Sequence, residues 1–290
     1  MDPFIVGLVL LSAAIHPLWN ALAKGELQPE AAFLNLLVVS TLCALAHCLI
    51  AGAPLSSVLN AWPIMAASAS GLSLYCIALI ITLRRGDLSV YYPIVRSSPV
   101  FVVAAGFLVL GERYAPTLLF GIALVICGAF LIQYRRGAGL LHDRVTFFSA
   151  LLAMCGTGIY AIADSRAVLH MEPMVVFFWQ TMPTTVLFWC YLLRFGSMRP
   201  GEVAKAVRAG WRSRPHRFLG TGILVYISYY LILIAYERGG NVAAVTALRQ
   251  ASIPISVLLG IVILRETGFA WRLLWSLVIA IGIAIIVSSR

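Results

Sequence analysis

The chain has 290 residues, of which 61% are hydrophobic and 11% charged. Soluble domains carry about 45–50% apolar and about 25% charged residues. The composition therefore excludes a soluble enzyme, a disordered protein and a disulfide scaffold, and it implies an all-α polytopic membrane protein.

About 20 apolar residues cross about 30 Å of hydrocarbon. That ruler predicts ten transmembrane helices over 3–24, 31–52, 59–83, 88–110, 115–134, 144–168, 172–194, 216–237, 242–264 and 269–288. The runs Phe101–Leu110 and Leu273–Val287 do not alternate, as β-barrel strands would. The first run has no basic n-region and no small-x-small site before a polar chain, so it reads as a retained helix rather than a signal peptide. The long connection from Arg194 to Arg217 leaves no room for a soluble domain. Within it, a linker over 195–215, Val203, Val207 and Trp211 fall on one helical face and Lys205, Arg208 and Arg212 on another. This reads as an amphipathic helix on the cytoplasmic surface, drawn to anionic lipid.

The net charge of +10, from 21 basic and 11 acidic residues, would suit nucleic acid in a soluble protein. No nucleic-acid-binding fold accompanies it. The basic residues instead sort by side. Lys24, Arg84, Arg85, Arg135, Arg136, Arg144, Arg265, Arg272 and the linker arginines lie on one face, and Arg113, Arg166, Arg238 and Arg290 on the other. The positive-inside rule then predicts both termini outside the cytoplasm, in a multi-pass inner-membrane protein.

A shift of 154 residues pairs Arg84 with Arg238, Gly86 with Gly240, Ser98 with Ser252, Glu112 with Glu266, Gly128 with Gly282 and Tyr75 with Tyr229. A shift of 141 pairs Trp19 with Tyr160. Five helices is an odd number, so the second copy enters the membrane upside down. The predicted arrangement is two inverted five-helix repeats, 1–139 and 140–290, as in secondary transporters with a midplane site.

The stretch Arg96-Ser-Ser-Pro99-Val-Phe, followed by Leu110-Gly111-Glu112-Arg113 and Gly121-Ile-Ala-Leu-Val-Ile-Cys-Gly128, resembles the EamA-type repeat of the drug/metabolite transporter superfamily. Its counterpart is Ser252-Ile-Pro254, Leu264-Arg-Glu266 and Gly282, where Arg265 departs from the usual glycine. Ala14-Ile-His16-Pro17-Leu-Trp19-Asn20-Ala-Leu-Ala-Lys24 is similar to the first helix of some members. The resemblance implies a transporter of small metabolites working by alternating access, as an exporter or exchanger. Family substrates include amino acids, drugs, sugar phosphates and nucleotide sugars, and membership does not choose among them.

Ionisable groups inside spans default to functional candidates. Arg96 in the fourth span and Arg249 in the ninth would suit an anionic group through bidentate hydrogen bonds. Asp164 is the expected partner of Arg249 if that arginine is structural. Tyr92, Arg96 and Pro99 share one helical face, and Thr246, Arg249, Gln250 and Pro254 form a comparable stripe. Pro99 and Pro254 free backbone carbonyls in mid-membrane, as a gating break or a passive kink. His16 is either a carrier of a coupling proton or a hydrogen-bonding packing residue. Asn20 and Gln180 are substrate contacts or glue between helices, with glue favoured for Gln180. Trp19, Tyr75, Tyr160 and Tyr229 are deep enough to line an aromatic cavity. Glu112 and Glu266 read as helix caps or ion-pair partners. Gly121, Gly128 and Gly282 read as close packing inside the bundle.

The expected partners are thus a small anionic or zwitterionic, amino-acid-like metabolite, the bilayer and a coupling proton, with the protein a monomer. No Walker loop, dinucleotide motif or nucleophile elbow is present. The six cysteines form no CxxC or Cys/His cluster, so no metal or cofactor is expected. The alternative is a membrane-embedded enzyme acting on a lipid or prenyl substrate. Such an enzyme needs an acidic cluster or a nucleophile–base pair, and Asp164 is the one clear acid in the predicted spans.

Overall fold

The computed structural model describes residues 1–23, 29–85, 88–133, 143–196, 199–264 and 270–289, and every regular element among them is helical. Helix starts follow proline, whose missing N–H would be unpaired in a first turn in any case. Thus α1 (Pro3–Ala23), α2 (Pro29–Ala51), α6 (Pro116–Gln133), α8 (Pro173–Phe195), α9 (Pro200–Ser213) and α10 (Pro215–Glu237) each open on one. Helix α3 (Trp62–Arg85) follows a 3₁₀ turn, and α13 (Ala270–Ser288) closes the chain. Helix α7 (Arg144–Ala167) is capped by the Asp143 carboxylate, which accepts the backbone N–H of Val145 at 3.0 Å and of Thr146 at 3.3 Å.

Among the described residues, eight segments are long and apolar enough to cross a membrane, and two shorter apolar helical stretches, Pro3–Trp19 and Pro116–Ile132, fall where the first and fifth spans are expected. The chain is a polytopic all-α membrane protein. Its outer faces carry exposed Phe107, Phe120, Leu152, Leu187 and Leu277, a surface that hydrocarbon covers at no cost.

The expected spans over 88–110 and 242–264 are each interrupted just before the proline that the sequence marks as a gating break or a passive kink. Helix α4 (Leu88–Arg96) ends and α5 (Ser98–Leu108) begins on either side of Ser97. Helix α11 (Val242–Leu248) and α12 (Ser252–Leu264) flank a 3₁₀ turn at Arg249–Ala251. Each break precedes a proline, Pro99 or Pro254, whose ring and absent N–H oppose a straight α-helical run through the preceding turn. Pro17, by contrast, stands inside an unbroken α1.

The most extensive contacts join α3 to α7, α6 to α13, α1 to α10 and α2 to α8. Small residues set the closest approaches. A Cβ built on Gly156 would lie 2.7 Å from the Gly71 carbonyl oxygen and 2.7 Å from the Tyr75 nitrogen. A Cβ on Gly121 would lie 2.9 Å from the Gly282 oxygen, and one on Gly128 would lie 3.0 Å from the Trp275 oxygen. These glycines pack helices of the same bundle, as expected from the sequence.

Helix α9 forms where the amphipathic linker is expected. Its apolar face turns to the protein: Val203 is buried beside Ala31, Ile80 and Phe188. Trp211 donates to Asn35 Oδ1 at 2.9 Å, and Asn35 donates to the Phe218 carbonyl at 3.3 Å. Lys205, Arg208 and Arg212 stay exposed. Trp62 and Trp271 are exposed at helix starts. Lys24, Gly86, Arg135, Arg136, Arg265, Glu266 and Arg290 lie outside the described residues.

Gly156→Ala is expected to force α3 and α7 apart and to destabilise the protein by about 1–3 kcal/mol. Gly201, whose added Cβ would meet nothing within 4 Å, is the control for thermal unfolding in detergent. An equal midpoint for the two variants would contradict this packing.

Candidate functional site

The break after α4 leaves backbone groups that the chain must satisfy itself. The Ser97 N–H turns to the Ile94 oxygen at 3.0 Å, and the Ser97 hydroxyl donates to the Pro93 oxygen at 2.8 Å. The Arg96 carbonyl accepts the Gln250 side-chain amide at 3.0 Å. The Arg96 guanidinium reaches the second break in turn, donating from Nη2 to Ser252 Oγ at 2.5 Å. Its Nη1 lies 3.2 Å from His16 Nε2. Arginine can only donate, so this ring nitrogen is the acceptor. Arg96 Nε and Gln250 Oε1 are buried and have no partner within the protein.

Around this junction lies a cavity of about 70 Å³, room for roughly five waters. Its wall includes Ser12, His16, Tyr75, Tyr92, Arg96, Ser98, Tyr160, Thr246, Arg249 and Gln250. Two guanidinium groups and an imidazole face it, and among the described residues no carboxylate lines it. The Tyr92 ring stands 6.0 Å from the Arg96 guanidinium carbon, and the Tyr229 ring 5.2 Å from that of Arg249. Such cation–π contacts hold the charges without neutralising them.

Behind the wall, Asp164 is wholly buried. Ser68 Oγ donates to its Oδ1, while Gln180 Nε2 and the Tyr229 hydroxyl meet its Oδ2 at 2.6 and 2.5 Å. The expected Asp164–Arg249 ion pair is therefore corrected. Among the described residues neither arginine lies within 4.0 Å of this carboxylate, because the Tyr229 side chain stands between. Gln180 is glue, tying α8 to α7 through that carboxylate.

Tyr75, Tyr92, Arg96, Tyr160, Thr246, Arg249 and His16 thus come together in one wall. Trp19 does not; it packs edge-on against His16 at 4.9 Å. Tyr229 sits one layer back, 5.7 Å from Tyr160. Pro99 and Pro254 place the breaks without lining the cavity. The side chain of Asn20 lies outside the described ones.

Two groups escaped the sequence reading. Glu30, 2% exposed in the first turn of α2, pairs with Arg84 of α3, and Arg84 also donates to the Phe195 oxygen at 3.2 Å. His47 shares a 2.5 Å hydrogen bond with the Tyr226 hydroxyl. An imidazole inside a predicted span was the available signal. Glu112 behaves as expected, meeting the Tyr114 hydroxyl at 2.7 Å and Arg166 at 3.5 Å. Among the described residues no group of three or more His, Cys, Asp or Glu could hold a metal ion.

Residues 3–134 match the family described as EamA-like transporter family. No curated protein matches by sequence. One solved structure, titled "Crystal structure of protein", is 20% identical and superposes with a TM-score of 0.75 over 97% of this chain and 95% of its own. That likeness establishes the fold alone.

Gln250→Ala is expected to leave the Arg96 carbonyl unsatisfied and to lower stability by about 1–3 kcal/mol, read as a fall in thermal unfolding midpoint. An unchanged midpoint would mean that the junction is not held by this bond.

Proposed function

We propose that this protein, whose residues 3–134 match a transporter family, is a secondary transporter of an anionic or zwitterionic, amino-acid-like metabolite. One observation carries the reading: two arginines face a tyrosine-walled cavity that, among the described residues, no carboxylate lines. A buried guanidinium needs an anionic or hydrogen-bonding partner, and a substrate carboxylate can supply one bidentately. In this reading Arg96 binds the carboxylate through its unpartnered Nε edge, with Arg249 as the second cation. Gln250 Oε1 accepts from a substrate ammonium group. Tyr75, Tyr92 and Tyr160 receive an apolar or planar part.

We further propose ten spans in two inverted repeats, 1–139 and 140–290, that give alternating access. The contact pattern supports this. The first helix of each half packs on the third of the other, as α1 with α10 and α7 with α3, while second packs on second and fifth on fifth. Arg96 and Gln250, equivalent under the 154-residue shift, touch each other. The Gly121–Gly282 and Gly128–Trp275 contacts exchange under that same shift. Such reciprocity is what a two-fold-like relation produces. The cavity is smaller than the roughly 300–1,000 Å³ of ordinary ligand sites, so admitting a metabolite requires the walls to part. The breaks at Ser97 and Arg249–Ala251 are the hinges this reading uses. The basic loops favour both termini outside the cytoplasm, and the transporter acts as an exporter or exchanger in the cytoplasmic membrane.

Counterflow of amino acids and their 2-oxo acids into proteoliposomes tests the proposal. Wild-type protein is expected to exchange at least one of them. Arg96→Gln is expected to weaken that exchange by roughly ten- to a hundredfold, the size of one charge-assisted hydrogen bond of about 1.5–3 kcal/mol. Exchange of none, or exchange by Arg96→Gln and Arg249→Gln equal to that of the wild type, would overturn it.

A further inference from the structure

We propose that Asp164 is a proton site linked to the anion site through Tyr229, so that anion binding and proton uptake promote each other.

The argument starts from charge. A buried carboxylate needs a cation or a proton to offset its lost hydration. Asp164 is 0% exposed and receives three neutral partners from three different helices, Ser68 of α3, Gln180 of α8 and Tyr229 of α10. Serine and tyrosine hydroxyls can donate to a carboxylate or accept from a carboxylic acid. Two of the three partners thus serve either protonation state.

The cation that faces it is Arg249, across the Tyr229 side chain. One end of Tyr229 bonds the carboxylate and its ring meets the guanidinium. The other titratable groups acting on Asp164 are Tyr160 of its own helix and Tyr236 of α10. Tyr160 also lines the cavity, as does Arg249.

This geometry makes one positive charge serve two negative ones. With no anion in the cavity, Arg249 offsets the Asp164 carboxylate. An anion bound at Arg249 takes that compensation, and Asp164 then gains a proton: one O–H bond forms, and the proton comes from water. By linkage the protonated form binds the anion more tightly in equal measure. A monoanion and its proton cross together with no net charge, and their combined gradients set the direction. That coupled crossing rests on the transporter reading above; the proton equilibrium does not.

Infrared titration of the purified protein in lipid nanodiscs therefore separates the two. The wild type is expected to show a protonated-carboxyl band that grows as pH falls and is missing in Asp164→Asn. In Arg249→Gln the band is expected to persist to a pH about one unit higher or more, the size of a lost neighbouring charge. Asp164→Glu, which shifts the band, keeps the assignment if the Asn variant does not fold. No band assignable to Asp164, or a midpoint unmoved in Arg249→Gln, would overturn the proposal while leaving counterflow untouched. Failure of counterflow with the band and its shift intact would overturn only the transporter reading.

Discussion

In hydrocarbon a backbone group that leaves a helix must be satisfied by protein or by cavity water. This chain breaks two of its helices in mid-bundle, and the two breaks satisfy each other. Gln250 donates to the Arg96 carbonyl, and the Arg96 guanidinium donates to Ser252. The remaining wall follows from that junction. Arg96 and Arg249 end up in one cavity, although they belong to different halves of the chain. His16 is fixed as an acceptor beside Arg96.

Charge is separated by layer. The cations face the cavity and Asp164 lies behind it, with tyrosine between. The other described intramolecular ion pairs stand elsewhere: Glu30 with Arg84 between α2 and α3, Glu112 with Arg166, and Asp143 with Arg85. None of them neutralises the cavity. In the proposed reading the two cations form an anion receptor, because a bound anion offsets part of the cost of burying them.

Much of this was legible from local pattern. Span positions followed from apolar run length, and the described helices begin and end within a few residues of the predictions. Prolines marked both breaks, although nothing in the local sequence distinguished a kink from a full interruption. That distinction depends on partners such as Gln250 and Ser252, which lie more than 150 residues from Arg96 in the chain. The amphipathic linker shows the same limit. Its pattern revealed an apolar face, but lipid and protein offer an apolar face the same driving force. Only the packing of Val203 and Trp211 chose protein.

Composition and periodicity by themselves determined an all-α membrane protein, the order of its segments and a short set of intramembrane charges, because hydrocarbon demands long apolar helices and makes each charge conspicuous. The tertiary structure alone decided which charges share a cavity and which are screened from it. Arg249 and Asp164 looked like an ion pair in sequence. Tyr229 separates them, and side-chain geometry of that kind is set by three helices meeting rather than by any one of them.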